Sequence, residues 1–354
     1  MSSSPFIGVL LHAIGGLAAA SFYIPYKRVR HWSWENYWLA GGVFSWVVAP
    51  WILAMAIVPG TPGILADTPA DTLLLTWLFG VLWGIGGLTF GLTMRYLGIA
   101  LGYAIALGFC AAVGTLAPPL VDGKLLSIAG TSSGQVLLLG VLVAFGGIAL
   151  SGVAGISKER EAPDEEKQST ISEFNFVKGL TVAIFAGVMS ACMAFGFTAG
   201  EPIAKLALQR GAPELWQNLP IWVVVLFGGF TTNCLWCLYL MVRNGTLGDY
   251  TRRTAASGER TPLLVNCLWC ALAGLLWYFQ FFFYGMGATK MGAYGFSSWT
   301  LHMASIIIFS TLWGIGLREW RGASRATRVW VALGLAVLIS ATILIGYGNY
   351  LGAK

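Results

Sequence analysis

Two histidines stand in stretches that hold almost no other ionisable side chain: His302 in SWTLHMASII and His12 in GVLLHAIGGL. Histidine has an unperturbed pKa of about 6.5, so it can take and release a proton near neutral pH. At helical spacing, Ser298, His302 and Ser305 fall at i, i+4 and i+7 and share one face. His12, Gly16, Ala19, Tyr23 and Tyr26 form a second stripe, small in its middle and polar at its ends. A third constellation is WYFQFFFYG (277–285), where a lone primary amide, Gln280, sits among aromatic residues and shares a helix face with Trp277 and Tyr284. Trp83 and Asn233 lie at similar depth in other apolar runs. Each of these polar groups has two readings. It is interhelical glue, worth about 0.6 kcal/mol on average, or it meets something that moves through the protein.

The elements that must position these residues are membrane helices. The chain is 57% hydrophobic and only 10% charged, against about 25% charged for a soluble domain. It lacks the charge to solvate a water-facing surface. Ten apolar runs reach the ~20 residues a spanning helix needs: 5–26, 36–58, 72–94, 97–119, 134–156, 176–200, 215–242, 262–288, 292–317 and 329–351. None alternates as a barrel strand would. Of the 21 Lys and Arg, sixteen fall in loops after odd-numbered spans and five on the other side. The positive-inside rule then places the odd-numbered loops in the cytoplasm and both termini outside. The charged linker 157–175 separates a first five-span half (1–156) from a second (176–354). An odd number of spans per half makes the halves inverted. A shift of 194 residues supports a repeat by superposing Gly80, Trp83 and Gly91 on Gly274, Trp277 and Gly285. The fold expected is all-α and integral to the membrane, ten helices in two inverted repeats, an arrangement typical of secondary transporters.

Other classes fit poorly. The net charge of +6 is spread in short clusters between apolar runs, so nucleic acid is not expected as a partner. The first basic residue, Lys27, follows the first apolar run, so that run reads as a retained helix and not a signal peptide. CLWC occurs twice, at 234–237 and 267–270. Each copy lies inside an apolar helix without ligand loops, so the cysteines read as small hydrophobes and no metal is expected. No Walker loop or HExxH motif appears, and no paired carboxylates or nucleophile–base pair suggests an enzyme. Gly102, Ala106, Cys110 and Gly114 repeat a small residue every fourth position, a helix-packing face.

Longer strings carry a resemblance. FYIPYKRVRHWSWE (22–35), LFGVLWGIG (78–86), FGLTMRYLG (90–98), LLWYFQFFFYG (275–285) and SWTLHM (298–303) resemble the bacterial L-rhamnose–proton symporter family, within the drug/metabolite transporter superfamily. The spacing runs through all ten spans. Departures are His31, where lysine is expected, and the poorly matching linker and 244–261 loop. The resemblance implies uptake of L-rhamnose, or a related sugar such as L-lyxose, with a proton, by alternating access in the inner membrane and with no cofactor. A sugar site needs an aromatic wall and a few fixed hydrogen-bonding groups. Trp83 or Trp277 would supply the wall, and Gln280 would read hydroxyls as donor and acceptor. Tyr284, Tyr23 and Asn233 are further candidates. His302 and then His12 would carry the proton. Glu35 would be its cytoplasmic exit partner or would pair with the basic loop before it, and Arg95 would be an interface anchor or a gate. An exporter of the same superfamily is the alternative, with a larger, less hydroxyl-directed pocket. The sequence sets no oligomeric state.

Overall fold

Within lipid, a backbone must satisfy its polar groups internally, which leaves helices or closed barrels. This chain takes the first route. The computed structural model describes residues 4–97, 99–161, 175–254 and 258–354. Among them, ten helices are long and apolar enough to cross a membrane: α1 (Pro5–Tyr26), α2 (Trp34–Ile57), α3 (Ala70–Leu97), α4 (Ile99–Val121), α5 (Ser132–Glu161), α6 (Phe176–Gln209), α7 (Glu214–Asn244), α8 (Leu263–Ala288), α9 (Gly292–Gly316) and α10 (Arg325–Gly352). No strand forms among the described residues; one antiparallel bridge joins Thr254 to Arg260.

Helix ends follow local chemistry. Gly245 closes α7 at φ +68, and Thr246 N–H returns to the Met241 carbonyl at 3.0 Å, a turn that favours glycine because it has no Cβ. Ser324 caps α10 by accepting from Thr327 N–H at 3.2 Å. α6 outruns its expected end. It breaks at Gly200 and resumes over Glu201–Gln209, with Pro202 in the first turn, where its missing N–H leaves no bond unmade. α2 carries a π-helical turn, Phe44–Val48, just before Pro50.

Contacts gather the chain into two compact units. The first holds residues 1–17, 85–195 and 283–354; the second holds 18–84 and 196–282. Each of the expected halves, 1–156 and 176–354, therefore contributes to both. In the first unit α5 packs on α10 with glycines at the contact. A Cβ on Gly140 would lie 2.8 Å from Ile345, and one on Gly147 2.7 Å from Leu338. Leu137, Val141, Leu301 and Ile345 fill the adjacent core. The small face of α4 is also packed here: a Cβ on Gly102 would crowd Thr93, and one on Gly114 would strike Trp299.

In the second unit α3 and α7 meet backbone to backbone. A Cβ on Gly80 would collide with the Val225 carbonyl, and one on Gly228 with the Trp77 carbonyl. Cys270 packs with Phe22, Tyr26, Trp32 and Ala273. Cys237 packs with Leu39 and Met241, and Cys234 lies at the margin of that cluster. The cysteines of both CLWC copies thus sit among hydrophobic neighbours, apart from the exposed Cys267.

Candidate proton and ligand sites

The first unit assembles a ring cluster around two histidines. His12 on α1 and His302 on α9 are both fully buried. Their ring centroids lie 6.4 Å apart. Tyr284 of α8 contacts both, at 5.2 Å from His12 and 5.4 Å from His302. Trp299 closes the group, 5.9 Å from Tyr284 and 6.4 Å from His302. Its indole N–H donates to the Cys110 carbonyl at 3.1 Å, which fixes the ring against the small-residue face of α4. Small residues let the helices close around His12. A Cβ on Gly16 would collide with Ser305, and one on Gly287 would stand 2.9 Å from His12 Nε2.

Neither ring nitrogen of His12 has a hydrogen-bond partner among the described residues. Leaving a buried polar atom unsatisfied costs about 1–3 kcal/mol. On the α9 face, Ser305 Oγ donates to the Leu301 carbonyl of its own helix at 2.8 Å. Ser298 Oγ is buried with no partner among the described residues.

The second unit gathers the tryptophans. Phe281 stands edge-on to both Trp83 (5.7 Å, 88°) and Trp277 (6.3 Å, 86°). Trp46 is edge-on to Trp83 at 6.3 Å, and Phe22 lies 4.4 Å from Trp277. Gln280 is buried at the same level of α8, and its Nε2 donates to the Trp277 carbonyl at 3.0 Å. α8 therefore carries Trp277 and Gln280 in the second unit and Tyr284 in the first.

The remaining expected residues have distinct surroundings. Asn233 accepts from the Trp38 indole N–H at 3.0 Å and donates to the Gly229 carbonyl at 2.9 Å. Both ends of its amide are held by protein, as interhelical glue would be. Tyr23 is 45% exposed and packs beside Phe22. Glu35, in the first turn of α2, accepts from Asn244 Nδ2 at 3.0 Å and Thr246 Oγ1 at 2.7 Å, so neutral donors at and just beyond the end of α7 hold it. The side chain of Arg95 lies outside the described residues.

Next to Glu35, Asp249 ties the loop after α7 to the start of α2. Its Oδ2 accepts from Ser33 N–H (2.9 Å), Ser33 Oγ (2.8 Å) and Asn36 Nδ2 (2.9 Å). Desolvation pushes the Asp249 carboxyl up, but these bonds and the charge of Arg252 together hold it below its ordinary value.

Sequence reasoning did not single out Trp46, Ser45, Phe281 or Trp299 as site residues. Trp299 was within reach, because it adjoins Ser298 in a matching string. Trp46 and Ser45 needed the π turn that Pro50 induces.

A family model described as L-rhamnose-proton symport protein matches residues 1–350. The L-rhamnose-proton symporter of Cronobacter sakazakii is 40% identical over 349 residues, covering 98% of this chain and 99% of that protein. The L-rhamnose-proton symporters of Shigella dysenteriae and Klebsiella pneumoniae are each 38% identical with the same coverage.

Proposed function

Because the chain belongs to the L-rhamnose-proton symport protein family, we propose that it imports L-rhamnose together with a proton across the bacterial inner membrane. The family is one of symporters, so the chain is a transporter and not an enzyme, and it needs no cofactor beyond the coupling proton. Both termini face the periplasm in this reading, in keeping with the Lys and Arg distribution. Two inverted five-helix repeats, 1–156 and 176–354, provide alternating access.

One observation carries the proton half of the reading: two fully buried histidines share a cluster, and His12 keeps both ring nitrogens unpartnered among the described residues. A proton reaching it finds His302 and His12 as acceptors and Tyr284 between them. We assign His302 the coupled proton and His12 the next position. The sugar half rests on Trp83, Trp277 and Gln280. The tryptophans offer apolar faces to the sugar's C–H groups and methyl, and a primary amide such as that of Gln280 can both donate to and accept from a hydroxyl. Tyr284 and Tyr23 are further contacts. Asn233 acts through Trp38, and L-lyxose is a second substrate. Glu35 passes the proton to the cytoplasm, and Arg95 anchors or gates α3 at that side.

Coupling requires that proton and sugar each raise the affinity for the other. The test is accumulation of labelled L-rhamnose in proteoliposomes under an imposed inward proton gradient, with L-lyxose in a parallel arm. Accumulation that a protonophore abolishes is expected. Uptake indifferent to the gradient would overturn the proton-coupled reading.

A further inference from the structure

The π turn of α2 makes a feature that neither the family nor the residues above account for. Pro50 has no N–H to give to the Trp46 carbonyl, and its ring would crowd that carbonyl in a regular α-helix. The ladder relaxes by one residue: Ala49 N–H bonds to the Phe44 carbonyl, an i to i−5 bond. Such single π turns are frequent at functional sites. This one buries Ser45 and Trp46, which are 1% and 3% exposed.

Both residues line a small cavity in the second unit with Trp277, Phe22, Tyr26 and Trp38. The cavity measures about 10 Å³, room for one water-sized group and not for a sugar ring. Three polar atoms of its lining residues are buried without a partner among the described residues: Ser45 Oγ, Trp46 Nε1 and Trp277 Nε1. Two are N–H donors, and the hydroxyl both donates and accepts. One oxygen that accepts from both indole N–H groups and donates its own proton to Ser45 Oγ could satisfy all three. A hydroxyl group has that chemistry, and a methyl group or a C–H does not. Glycines hold the walls close. A Cβ on Gly42 would lie 2.5 Å from the Trp46 ring, and one on Gly274 would strike the Gly41 carbonyl.

We propose that the cavity beneath the π turn of α2 is a single-hydroxyl subsite, in which Ser45, Trp46 and Trp277 read one hydroxyl of the transported sugar. This rests on the sugar-transport reading above and adds the specificity determinant. A site built around donors rejects a ligand lacking the matching hydroxyl far more strongly than an apolar pocket rejects an extra one. Water offers the same chemistry, so the experiment must separate the two occupants.

The measurement is competition by each monodeoxy analogue of L-rhamnose against labelled L-rhamnose binding to the detergent-purified protein. It is made on the wild type, Ser45→Ala, Trp46→Phe and Trp277→Phe. The phenylalanine variants keep a ring in place, and thermal unfolding checks that each variant folds. In the wild type one analogue should lose roughly tenfold or more in affinity. In at least two of the three folded variants that penalty should fall below about threefold, while the penalties at other positions stay the same. An unchanged penalty pattern, with or without a uniform loss of affinity, would mean a water fills the cavity and would overturn the proposal. A wild-type protein that binds no sugar would instead overturn the transport reading on which the proposal stands.

Discussion

Replacing His12 with leucine separates a structural histidine from a working one. His12 is fully buried, and neither ring nitrogen is hydrogen-bonded among the described residues. Each unsatisfied atom costs about 1–3 kcal/mol. Leucine is close to histidine in volume, and volume-conserving swaps cost under about 1.5 kcal/mol. Removing two orphaned atoms against one repacking cost leaves His12→Leu more stable by roughly 0.5–6 kcal/mol. The thermal unfolding midpoint of the purified protein in detergent should therefore rise. Rhamnose-driven proton uptake in liposomes should be lost in the same variant, a trade of function for stability seen where a site keeps unsatisfied groups. Trp299→Phe serves as the opposite control. It gives up the 3.1 Å bond to the Cys110 carbonyl, a loss of about 0.5–1.5 kcal/mol of stability, and should lower the midpoint. If His12→Leu instead lowers the midpoint and leaves proton uptake intact, His12 is a packing residue and the reasoning from its orphaned nitrogens fails.

Three further outcomes are expected. Gln280→Leu should weaken L-rhamnose binding by roughly tenfold with the unfolding midpoint little changed; unchanged affinity would remove Gln280 from the site. The folded-state pKa of Asp249 lies below its ordinary 3.8, so its carboxylate stabilises fully above that pH and the contribution is lost as pH falls through the lowered value. The midpoint gap between wild type and Asp249→Asn should be constant at neutral pH and shrink in acid below pH 3.8, and a gap that widens on acidification would contradict the network around Ser33 and Asn36. Gly80→Ala should destabilise by about 1–3 kcal/mol, because its Cβ meets the Val225 backbone carbonyl and no side chain can rotate away. A midpoint equal to the wild type's would show that α3 and α7 stand further apart.

The ten spans were legible because hydropathy and length decide them residue by residue, and lipid admits few alternatives. The site was legible in parts. His12 and His302 drew notice as isolated imidazoles in apolar runs. Nothing local, however, says that residues 290 positions apart share a cluster; that depends on Gly16, Gly287 and the packing of three helices. Tyr284 was read by helical spacing with Gln280 and Trp277, yet its ring packs on the two histidines and Trp299. Spacing along one helix does not reveal which neighbours each turn meets. Asn233 shows the same limit. Its depth was readable, and its bond to Trp38 of another helix was not. The π turn at 44–48 follows from Pro50 by a known steric mechanism, but whether a kink, a bulge or a break relieves the clash depends on the surrounding helices.

In the proposed mechanism the buried histidine cluster carries the proton that drives sugar uptake. The most direct measurement is the number of protons entering per L-rhamnose in liposomes holding wild type or His302→Gln, with binding of the sugar measured in parallel. A fixed proton-to-sugar ratio is expected in the wild type, with a folded His302→Gln protein that still binds L-rhamnose but takes up no proton with it. Undiminished proton uptake by His302→Gln, at the wild-type ratio, would contradict it.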